Sequence, residues 1–258
     1  MEKVGSHNLI SFVARHASVD IHYHQCLQVV VSLRIPFDSV IDGINYSHMN
    51  GFLINQAITH SCKAENTEVL IYFIDAESYQ GWQLKELLDG RPFVPINSIL
   101  TEQELNEAMA QYGRADDLAE LQKTADDLMI KILHPRQETA GRHIDQRIAK
   151  AIEYINLNLD NPLALAEIAS QVFLSPERLR HLFAQETGIP FSQYVLWKRI
   201  KLVMTQVISG KLPMANAAIQ NGFTDQAHFT RLFKRTFGVN ARNLLKNSRF
   251  VQFLTPEV

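Results

Sequence analysis

The chain has 258 residues, a length that indicates two domains. Its two cysteines, Cys26 and Cys62, exclude a disulfide framework, and no apolar run reaches the roughly 18 residues that a membrane span needs. The apolar stretch near the N-terminus is too short for a signal peptide, so we expect a soluble, cytoplasmic protein with no membrane partner.

The two halves of the chain carry opposite net charges. Residues 1–141 contain 10 Lys and Arg against 19 Asp and Glu, a net charge of −9. Residues 142–258 contain 15 Lys and Arg against 8 Asp and Glu, a net charge of +7. A basic C-terminal half suits a polyphosphate partner, and an acidic N-terminal half is repelled by the same partner.

The N-terminal half begins with β structure. Short runs rich in Val, Ile and Phe predict strands at residues 9–13, 27–33, 52–54 and 69–74. Residues 39–46 are a hairpin candidate, because Asp42 and Gly43 supply a tight two-residue turn. Strands this closely spaced, ending at about residue 75, predict a small barrel or sandwich.

Helices follow the strands. We predict them at residues 79–88, at 102–112 with Thr101 as the cap, and at 116–133. In the third helix, apolar residues recur at steps of three and four, as in a coiled-coil seam. Such a stripe serves either a dimer interface or packing on its own barrel. Its members are Leu118, Leu121, Ala125, Leu128 and Ile132.

A polar segment with Pro and Gly, residues 135–141, predicts a linker between residues 1–134 and 142–258. After it we expect helices at 144–159, 163–172, 177–187, 191–209, 213–220 and 225–237. Ser175 is placed as an N-cap with Pro176 at the first helical position, and Thr224 as the N-cap of the last helix.

Two parts of this helical half repeat each other. LALAEIASQVFLSPERLRHLFAQETGIPFSQY, which begins at Leu163, aligns with LPMANAAIQNGFTDQAHFTRLFKRTFGVNARNL. The repeat includes identical residues 50 positions apart: Leu182 matches Leu232, Phe183 matches Phe233, and Gly188 matches Gly238. A short helix, a turn and a second helix with one apolar and one basic face make a helix-turn-helix, so the chain carries two such modules.

The phrases LSPERLRHLFAQETGIPFSQYV and GFTDQAHFTRLFKRTFGV resemble the DNA-binding region of the AraC/XylS family of bacterial transcription regulators. The resemblance covers about 105 residues, from Arg142 to Lys246. One departure is Phe173, which stands in the first turn where many members have Gly; a positive φ there carries a cost of about 1 kcal/mol. The resemblance implies a sequence-specific regulator, with an activator role favoured over a repressor role.

Helical periodicity separates the faces of the two second helices. Residues such as Leu179 and Phe229 point inward, and a polar, basic stripe points outward. Arg pairs with guanine and Gln with adenine in the major groove, whereas Glu177 either accepts from cytosine or stabilises its own helix dipole. The groove-facing candidates are Glu177, Arg178, Arg180, His181, Gln226, Ala227, Thr230 and Arg231, and the phosphate-contacting candidates are Lys234, Arg235, Lys198 and Arg199.

For the N-terminal half the resemblance implies a cupin-like effector barrel followed by a helical dimerisation layer. The expected fold class is therefore α+β, with an all-α C-terminal domain whose two helix-turn-helix modules are joined by a long helix. The implied partners are double-stranded promoter DNA, RNA polymerase, a small-molecule effector and a second copy of the chain. No cofactor is expected.

Three histidines in the barrel half form a second constellation. His22, His24 and Cys26 alternate, and so do His60 and Cys62, which on strands puts each set on one face. Cupin metal sites use a His-x-His pair, a later His and a carboxylate, but Gln28 is the residue nearby here, and Gln is a poor transition-metal ligand. We expect His22, His24 and His60 to line an effector pocket or to be remnants of an ancestral site; three imidazoles holding zinc, with or without the thiols, is the alternative.

Two classes of function remain. A ligand-responsive transcription regulator uses both helix-turn-helix modules and explains the charge asymmetry. A cupin-type metal-binding protein or enzyme with an accessory helical domain explains the histidines and leaves the modules without a purpose. The sequence has no Ser/His/Asp, P-loop or dinucleotide-binding motif that indicates other enzymology. It therefore favours the regulator, and not an enzyme.

Overall fold

The computed structural model describes residues 9–133 and 144–253, with no side chains described for residues 249–253. The expected linker, residues 135–141, lies outside the described residues. Eight antiparallel strands form one barrel-like sheet, in which β6 pairs with β1, β2 and β3. The strands are β1 Leu9–His22, β2 Leu27–Ser32, β3 Phe37–Ile41, β4 Ile44–Met49, β5 Gly51–Ile54, β6 His60–Ile74, β7 Phe93–Pro95 and β8 Ser248–Phe253.

Ten α-helices and one short 3₁₀ helix, Ile96–Ser98, complete the described secondary structure. In the N-terminal part these are α1 Tyr79–Leu88, α2 Glu102–Arg114 and α3 Leu118–Ile132. The C-terminal part contains α4 Gln146–Leu157, α5 Leu165–Gln171, α6 Pro176–Thr187, α7 Phe191–Ile208, α8 Met214–Gln220, α9 Gln226–Phe237 and α10 Ala241–Asn247. None of the helices in the described ranges is both long and apolar enough to cross a membrane.

Local sequence signals account for most element boundaries. Asp42 and Gly43 have φ values of 50° and 77°, and both being positive is typical of the tight hairpin turn predicted between β3 and β4. Thr101 caps α2 in a capping box with Glu104, and Asp117 caps α3 by accepting from the backbone of Glu120. Each cap satisfies helix N–H groups that the helix itself leaves unpaired.

The long strands β1 and β6 bend along their shared ladder. The register between them shifts between Arg15 and Ala17 and again between Val19 and His22. His16, inside the first shift, has a φ of 51°, and its Nδ1 lies 2.6 Å from the carbonyl oxygen of Glu65. Such bulges increase twist and let a strand leave one neighbour for another, which curls the sheet toward a barrel.

The chain divides into two compact units, and the division differs from the predicted boundaries. One unit contains residues 1–137 together with 234–258, and the other contains residues 138–233. The predicted assignment of all of 142–258 to one domain is corrected here, because β8 forms an antiparallel ladder with β1, from Ile10–Phe253 to Ala14–Ser248. Backbone pairing at a sheet edge thus attaches residues 248–253 to the N-terminal sheet.

The predicted dimer seam on α3 packs inside its own unit. Leu121, Ala125, Leu128 and Ile132 are all at most 5% exposed and belong to the same core cluster as the sheet face that carries Val29, Leu53 and Tyr72. The Tyr72 hydroxyl donates a hydrogen bond of 2.7 Å to the Ala125 carbonyl oxygen, and this bond ties α3 to β6. The dimer-interface prediction is therefore wrong for these four residues: their apolar area is already removed from water within one chain. Leu118 alone remains exposed, at 61%.

The second unit has a helical core of its own. Ile148, Ile168, Leu179, Phe183 and Tyr194 are fully buried in one cluster that joins α4, α5, α6 and α7. Further along the chain, the rings of Phe223, Phe229 and Phe233 pack against one another, with centroid distances of 5.2 and 5.6 Å. The apolar faces of the two modules are therefore buried, as the sequence predicted.

Candidate DNA-binding surface and barrel cavity

Module one comprises α5 and α6, and module two comprises α8 and α9. The second helix of module one, α6, has a capping signal at each end. The Ser175 side chain accepts a hydrogen bond from the backbone of Arg178, Pro176 occupies the first turn, and Gly188 ends the helix with a φ of 80°. Leu179 and Phe183 are fully buried. Phe173, in the turn before the helix, has the expected positive φ, 56°, with its side chain 94% exposed.

The outward face of α6 is partly neutralised by an ion-pair cluster within the helix. Glu177, Arg178, Arg180 and His181 are all exposed. Glu177 pairs with the Arg180 guanidinium, and its other oxygen lies 2.8 Å from Nε2 of His181. Glu177 therefore interacts within its own helix, and Arg180 and His181 reach a base edge only when they exchange this carboxylate for the nucleic acid.

In module two the N-cap is one residue later than predicted. The Asp225 carboxylate accepts a hydrogen bond of 2.7 Å from the backbone N–H of His228, and α9 starts at Gln226. Thr224 instead contacts the His228 ring through its backbone N–H and its hydroxyl, each 3.2 Å from Nδ1. The assignment of Thr224 as the cap is therefore corrected to Asp225, a residue type that caps at least as well.

The outward stripe of α9 is accessible and basic. Ala227, Arg231, Lys234 and Arg235 are exposed, and no acidic residue lies in the first turn. Gln226 and Thr230 are half-buried, and the Gln226 amide nitrogen lies 3.9 Å from the Met214 sulfur. Exposure is a condition for groove contact, and the residue roles themselves remain predictions.

Two of the predicted phosphate contacts are structural residues in α7. Lys198 is 6% exposed, and its Nζ lies 5.0 Å from the centroid of the Tyr194 ring. Arg199 donates hydrogen bonds to the carbonyl oxygens of Leu159 at 3.1 Å and Asn161 at 2.8 Å. Burial makes Lys198 inaccessible to phosphate in this structure, whereas the half-buried Arg199 has internal hydrogen-bond partners and its phosphate contact stays a prediction.

Gly222 shows how closely Arg199 is held. This glycine has a φ of 80°, and a Cβ added there would lie 2.7 Å from Cζ of Arg199. The neighbouring Asn221 is buried, and its amide donates to the Gln206 side chain and the Ala217 carbonyl oxygen, each at 2.7 Å. The sequence indicated a turn at this Asn-Gly pair, but it carried no sign of Arg199 and Gln206, which come from α7.

The barrel brings His22, His24 and His60 together. His22 and His60 are direct partners across the β1–β6 ladder, and their ring centroids lie 4.3 Å apart. His24 lies in the β1–β2 connection, 4.8 Å from the ring of His60. The prediction that His24 and Cys26 continue one strand face from His22 is wrong, since β1 ends at His22, yet the turn still directs His24 to the same place.

Each imidazole in this cluster has a backbone partner at Nδ1. The Nδ1 atoms of His22, His24 and His60 lie 2.8, 3.0 and 2.9 Å from the carbonyl oxygens of Asp20, Cys26 and Ile58 respectively. Burial lowers the pKa of all three histidines, to about 4 for His24, where the neighbouring His22 also contributes. The rings are therefore neutral at pH 7.

A cavity of about 260 Å³ opens beside the cluster within the first unit. His22, His60 and Gln28 are on its wall, and His24 is not; the effector-pocket prediction thus places two of the three histidines on the cavity surface. Burial raises the pKa of the Cys62 thiol, also on the wall, to about 12, so this thiol is protonated. The apolar lining, which the sequence analysis did not identify, includes Phe12, Val30, Phe52, Ile71, Phe73 and Phe237.

Comparisons with known proteins agree with this geometry. A family model described as a helix-turn-helix domain matches residues 168–247. The arabinose operon regulatory protein of Escherichia coli is 30% identical over 147 residues, which are 57% of this chain and 50% of that protein. The probable transcriptional regulator LumQ of Photobacterium leiognathi is 26% identical over 230 residues, 85% of this chain and 89% of that protein. The chain spans about half the length of the arabinose operon regulators it matches.

The fold also has solved counterparts. A crystal structure of ToxT from Vibrio cholerae has a TM-score of 0.59 at 15% identity and covers 93% of this chain and 98% of that one. ToxT with an unsaturated fatty acid bound has a TM-score of 0.50 at 13% identity, covering 92% and 95%.

A barrel-like sheet followed by two helix-turn-helix modules places this chain among the helix-turn-helix proteins that combine a separate N-terminal domain with a DNA-binding region. The same group of proteins, helix-turn-helix transcription regulators, is indicated by both modules, by the matched family region and by the named relatives. Residues 168–247 are a helix-turn-helix region of the AraC type, and the named relatives of the chain are transcription regulators.

Proposed function

We propose that this chain is a sequence-specific regulator of transcription that binds double-stranded promoter DNA with α6 and α9 in two successive major grooves. The observation that carries the proposal is the division of both helices into a buried apolar face and an exposed face with several cations. A helix of this kind is held rigidly by its core and presents its other face to the groove. Successive grooves on one side of B-DNA lie about 34 Å apart, so one chain covers about two helical turns.

In this proposal, the residues that distinguish one base from another lie mainly in module two. Arg231 is exposed in the middle of α9 and suits a bidentate contact with guanine, and Gln226 suits adenine. Lys234 and Arg235 lie one turn further on and meet phosphate. In module one Arg178 lies outside the Glu177 cluster, is exposed, and helps to lower the pKa of the Asp145 carboxyl, so DNA binding exchanges a weaker partner there.

The cavity supports a second part of the proposal, a small effector with a substantial apolar part. Aromatic and aliphatic side chains make up much of the wall, and imidazole and amide groups lie on one side of it. A cavity of about 150 Å³ holds benzene, so 260 Å³ admits a larger molecule. ToxT, which shares the fold, has been crystallised with an unsaturated fatty acid.

Occupation of the cavity is linked to α9 through the chain itself. Phe237, the last residue of α9, packs on Phe73 with ring centroids 5.0 Å apart, and both line the cavity. Gly238 follows directly, and a Cβ there would lie 2.7 Å from Nδ1 of His22. An effector that moves Phe237 or His22 therefore changes the end of the recognition helix, and differential binding shifts the population competent for DNA. Activation through RNA polymerase and action as a homodimer complete the proposal.

The test is a DNA-binding titration of the full chain against its selected binding site and single-base variants of that site, at several salt concentrations. Arg231→Ala is expected to lose about 1–3 kcal/mol and to relax preference at one base position. Lys234→Ala is expected to weaken all sequences alike and to reduce the salt slope by about 1. Arg114→Ala, in α2, removes one exposed cation from the N-terminal part and serves as the matched control.

The reverse pattern, uniform weakening by Arg231→Ala and loss of base preference with Lys234→Ala, contradicts the assignment of the two residues. Equal binding of all sequences by the unmodified chain contradicts the proposal of sequence-specific recognition. The effector proposal is tested with an apolar fluorescent probe. The probe is expected to bind the full chain and to be displaced by apolar ligands, and its binding is expected to be lost when Phe52→Trp fills the cavity.

A further inference from the structure

We propose that His22, His24 and His60 form a binding site for a divalent first-row transition-metal ion, with Zn²⁺ as the reference ion. The site lies inside the barrel, beside the cavity but distinct from the DNA-binding surface. It does not depend on the proposed regulatory function, because it rests only on the geometry of the three imidazoles.

The three side chains converge as ligands of one ion must. One ring nitrogen from each histidine lies within 4.8 Å of the others. A tetrahedral zinc ion with Zn–N distances of about 2.0–2.1 Å requires ligand nitrogens roughly 3.3–3.4 Å apart. The ligand nitrogens therefore approach one another by up to about 1.4 Å when an ion binds. The pairing of His22 with His60 across the ladder fixes two of the ligands on a rigid scaffold.

The second nitrogen of each ring is oriented as it is in metal sites. All three Nδ1 atoms face backbone carbonyl oxygens, and at His22 and His60 this contact places hydrogen on Nδ1 and leaves the lone pair on Nε2. Nε2 of His60 is buried and has no hydrogen-bond partner among the described residues. Nε2 of His24 lies 3.1 Å from the Gln28 side-chain oxygen, so a lone pair on this nitrogen requires the Gln28 amide to turn its NH₂ group toward the ring, and an ion replaces that contact.

The donor set selects the class of ion. Imidazole suits zinc, copper, iron and nickel, and the absence of a carboxylate from this cluster disfavours magnesium and calcium. Burial keeps the rings neutral, which is the form that binds a metal. Three histidines satisfy a zinc ion except for one position. His22 and His60 line the cavity, so that position is available to water or to a polar group of a cavity ligand.

The alternative is that the three histidines bind no ligand and serve only to pack the interior of the barrel. Three mutually close imidazoles, each 7% exposed or less, lower the stability of the folded chain if they only pack the interior. The reason is that an unpaired buried nitrogen loses its hydrogen bond to water. An ion removes that cost at His60 and uses the tautomers that the backbone contacts favour at His22 and His60.

The experiment is a titration of the metal-stripped full chain with Zn²⁺ and with Co²⁺, read by calorimetry and by the visible absorption of tetrahedral Co²⁺. We expect one ion per chain. His60→Gln is expected to weaken binding about a hundredfold or more, since a neutral amide is a poor ligand. The control is His48→Asn: His48 is an exposed histidine with a φ of 57°, which Asn tolerates, and the affinity is expected to stay within about twofold.

X-ray absorption at the zinc edge of the unmodified chain keeps the test independent of whether a variant folds. Three imidazole nitrogens at about 2.0 Å support the site. A sulfur ligand, a charge-transfer band from a thiolate to Co²⁺, or retention of the ion by His60→Gln at unchanged affinity overturns the three-histidine assignment. Failure of the unmodified chain to bind either ion more tightly than His60→Gln overturns it as well. None of these results bears on DNA binding.

Discussion

The two alternatives for Arg199, a phosphate contact or an internal brace, predict different outcomes for Arg199→Ala. The guanidinium donates to the carbonyl oxygens of Leu159 and Asn161, which follow α4 at the entrance to module one. These carbonyl groups lie near the end of a helix, where backbone acceptors lack partners within the helix. Burial lowers the pKa of Arg199, but the group remains protonated at neutral pH.

The structure sets the size of the effect. A hydrogen bond from a charged donor contributes about 1.5–3 kcal/mol. Arg199 makes two such bonds and is half-buried, so water compensates part of their loss. We expect Arg199→Ala to lower the free energy of unfolding by about 2–4 kcal/mol. A residue that contacts only phosphate leaves stability within about 0.5 kcal/mol and lowers the salt slope of DNA binding by about 1.

Urea unfolding followed by the fluorescence of Trp197, in the same helix as Arg199, measures this stability. The chain has two tryptophans, and in a Trp82→Phe background Trp197 is the remaining tryptophan, which is excited selectively at the red edge of the absorption band. Arg114→Ala controls for the loss of one exposed cation. A stability unchanged within error, together with a reduced salt slope, refutes the internal role of Arg199 and restores the phosphate contact.

Gly222→Ala provides a matched second perturbation. The positive φ of Gly222 penalises any Cβ by about 1 kcal/mol whether or not Arg199 is present. The close approach of that Cβ to the guanidinium adds a second cost only when Arg199 is present. The double mutant is therefore expected to be less destabilised than the sum of the single mutants, and strict additivity argues against the contact.

Two further predictions concern stability. Leu128→Ala, in the core beneath α3, is expected to cost about 2–5 kcal/mol, and Leu118→Ala on the same helix less than about 0.5 kcal/mol; equal effects in thermal unfolding contradict the assignment of the stripe to the core. Phe173→Gly is expected to raise the free energy of unfolding by about 0.5–1 kcal/mol, because Gly adopts the positive φ without strain and the exposed ring contributes no packing. A lower stability of Phe173→Gly in urea shows that this ring has a partner in the folded chain.

Local patterns in the sequence were sufficient for the two modules. Ser175 and Pro176 start α6 and Gly188 ends it, as their residue types require, because caps and left-handed turns depend on a few adjacent residues. The repeat and the basic outward faces of α6 and α9 likewise follow from helical periodicity. The hairpin at Asp42 and Gly43 belongs to the same category.

Tertiary packing decided which polar and apolar residues are available for function. Helical periodicity showed that the residues from Leu121 to Ile132 share one apolar face of α3. It did not show what covers this face, and the contact with Tyr72 places it on the sheet of the same chain. Lys198 and Arg199 looked like free cations because a helix has several sides and the sequence does not say how many of them are covered. Asp225 took the cap position from Thr224 by a shift of one residue, within the uncertainty of any boundary rule.

By itself, the sequence determined that this protein has a tandem pair of helix-turn-helix modules after an acidic β domain, since each signal lies within about one helix or hairpin of chain. Only the folded structure decided that His22 meets His60 across a ladder, that residues 248–253 return to the first strand, and that Phe237 lines the cavity. These contacts join residues far apart in the chain, and strand register and side-chain packing, which no local pattern encodes, bring them together.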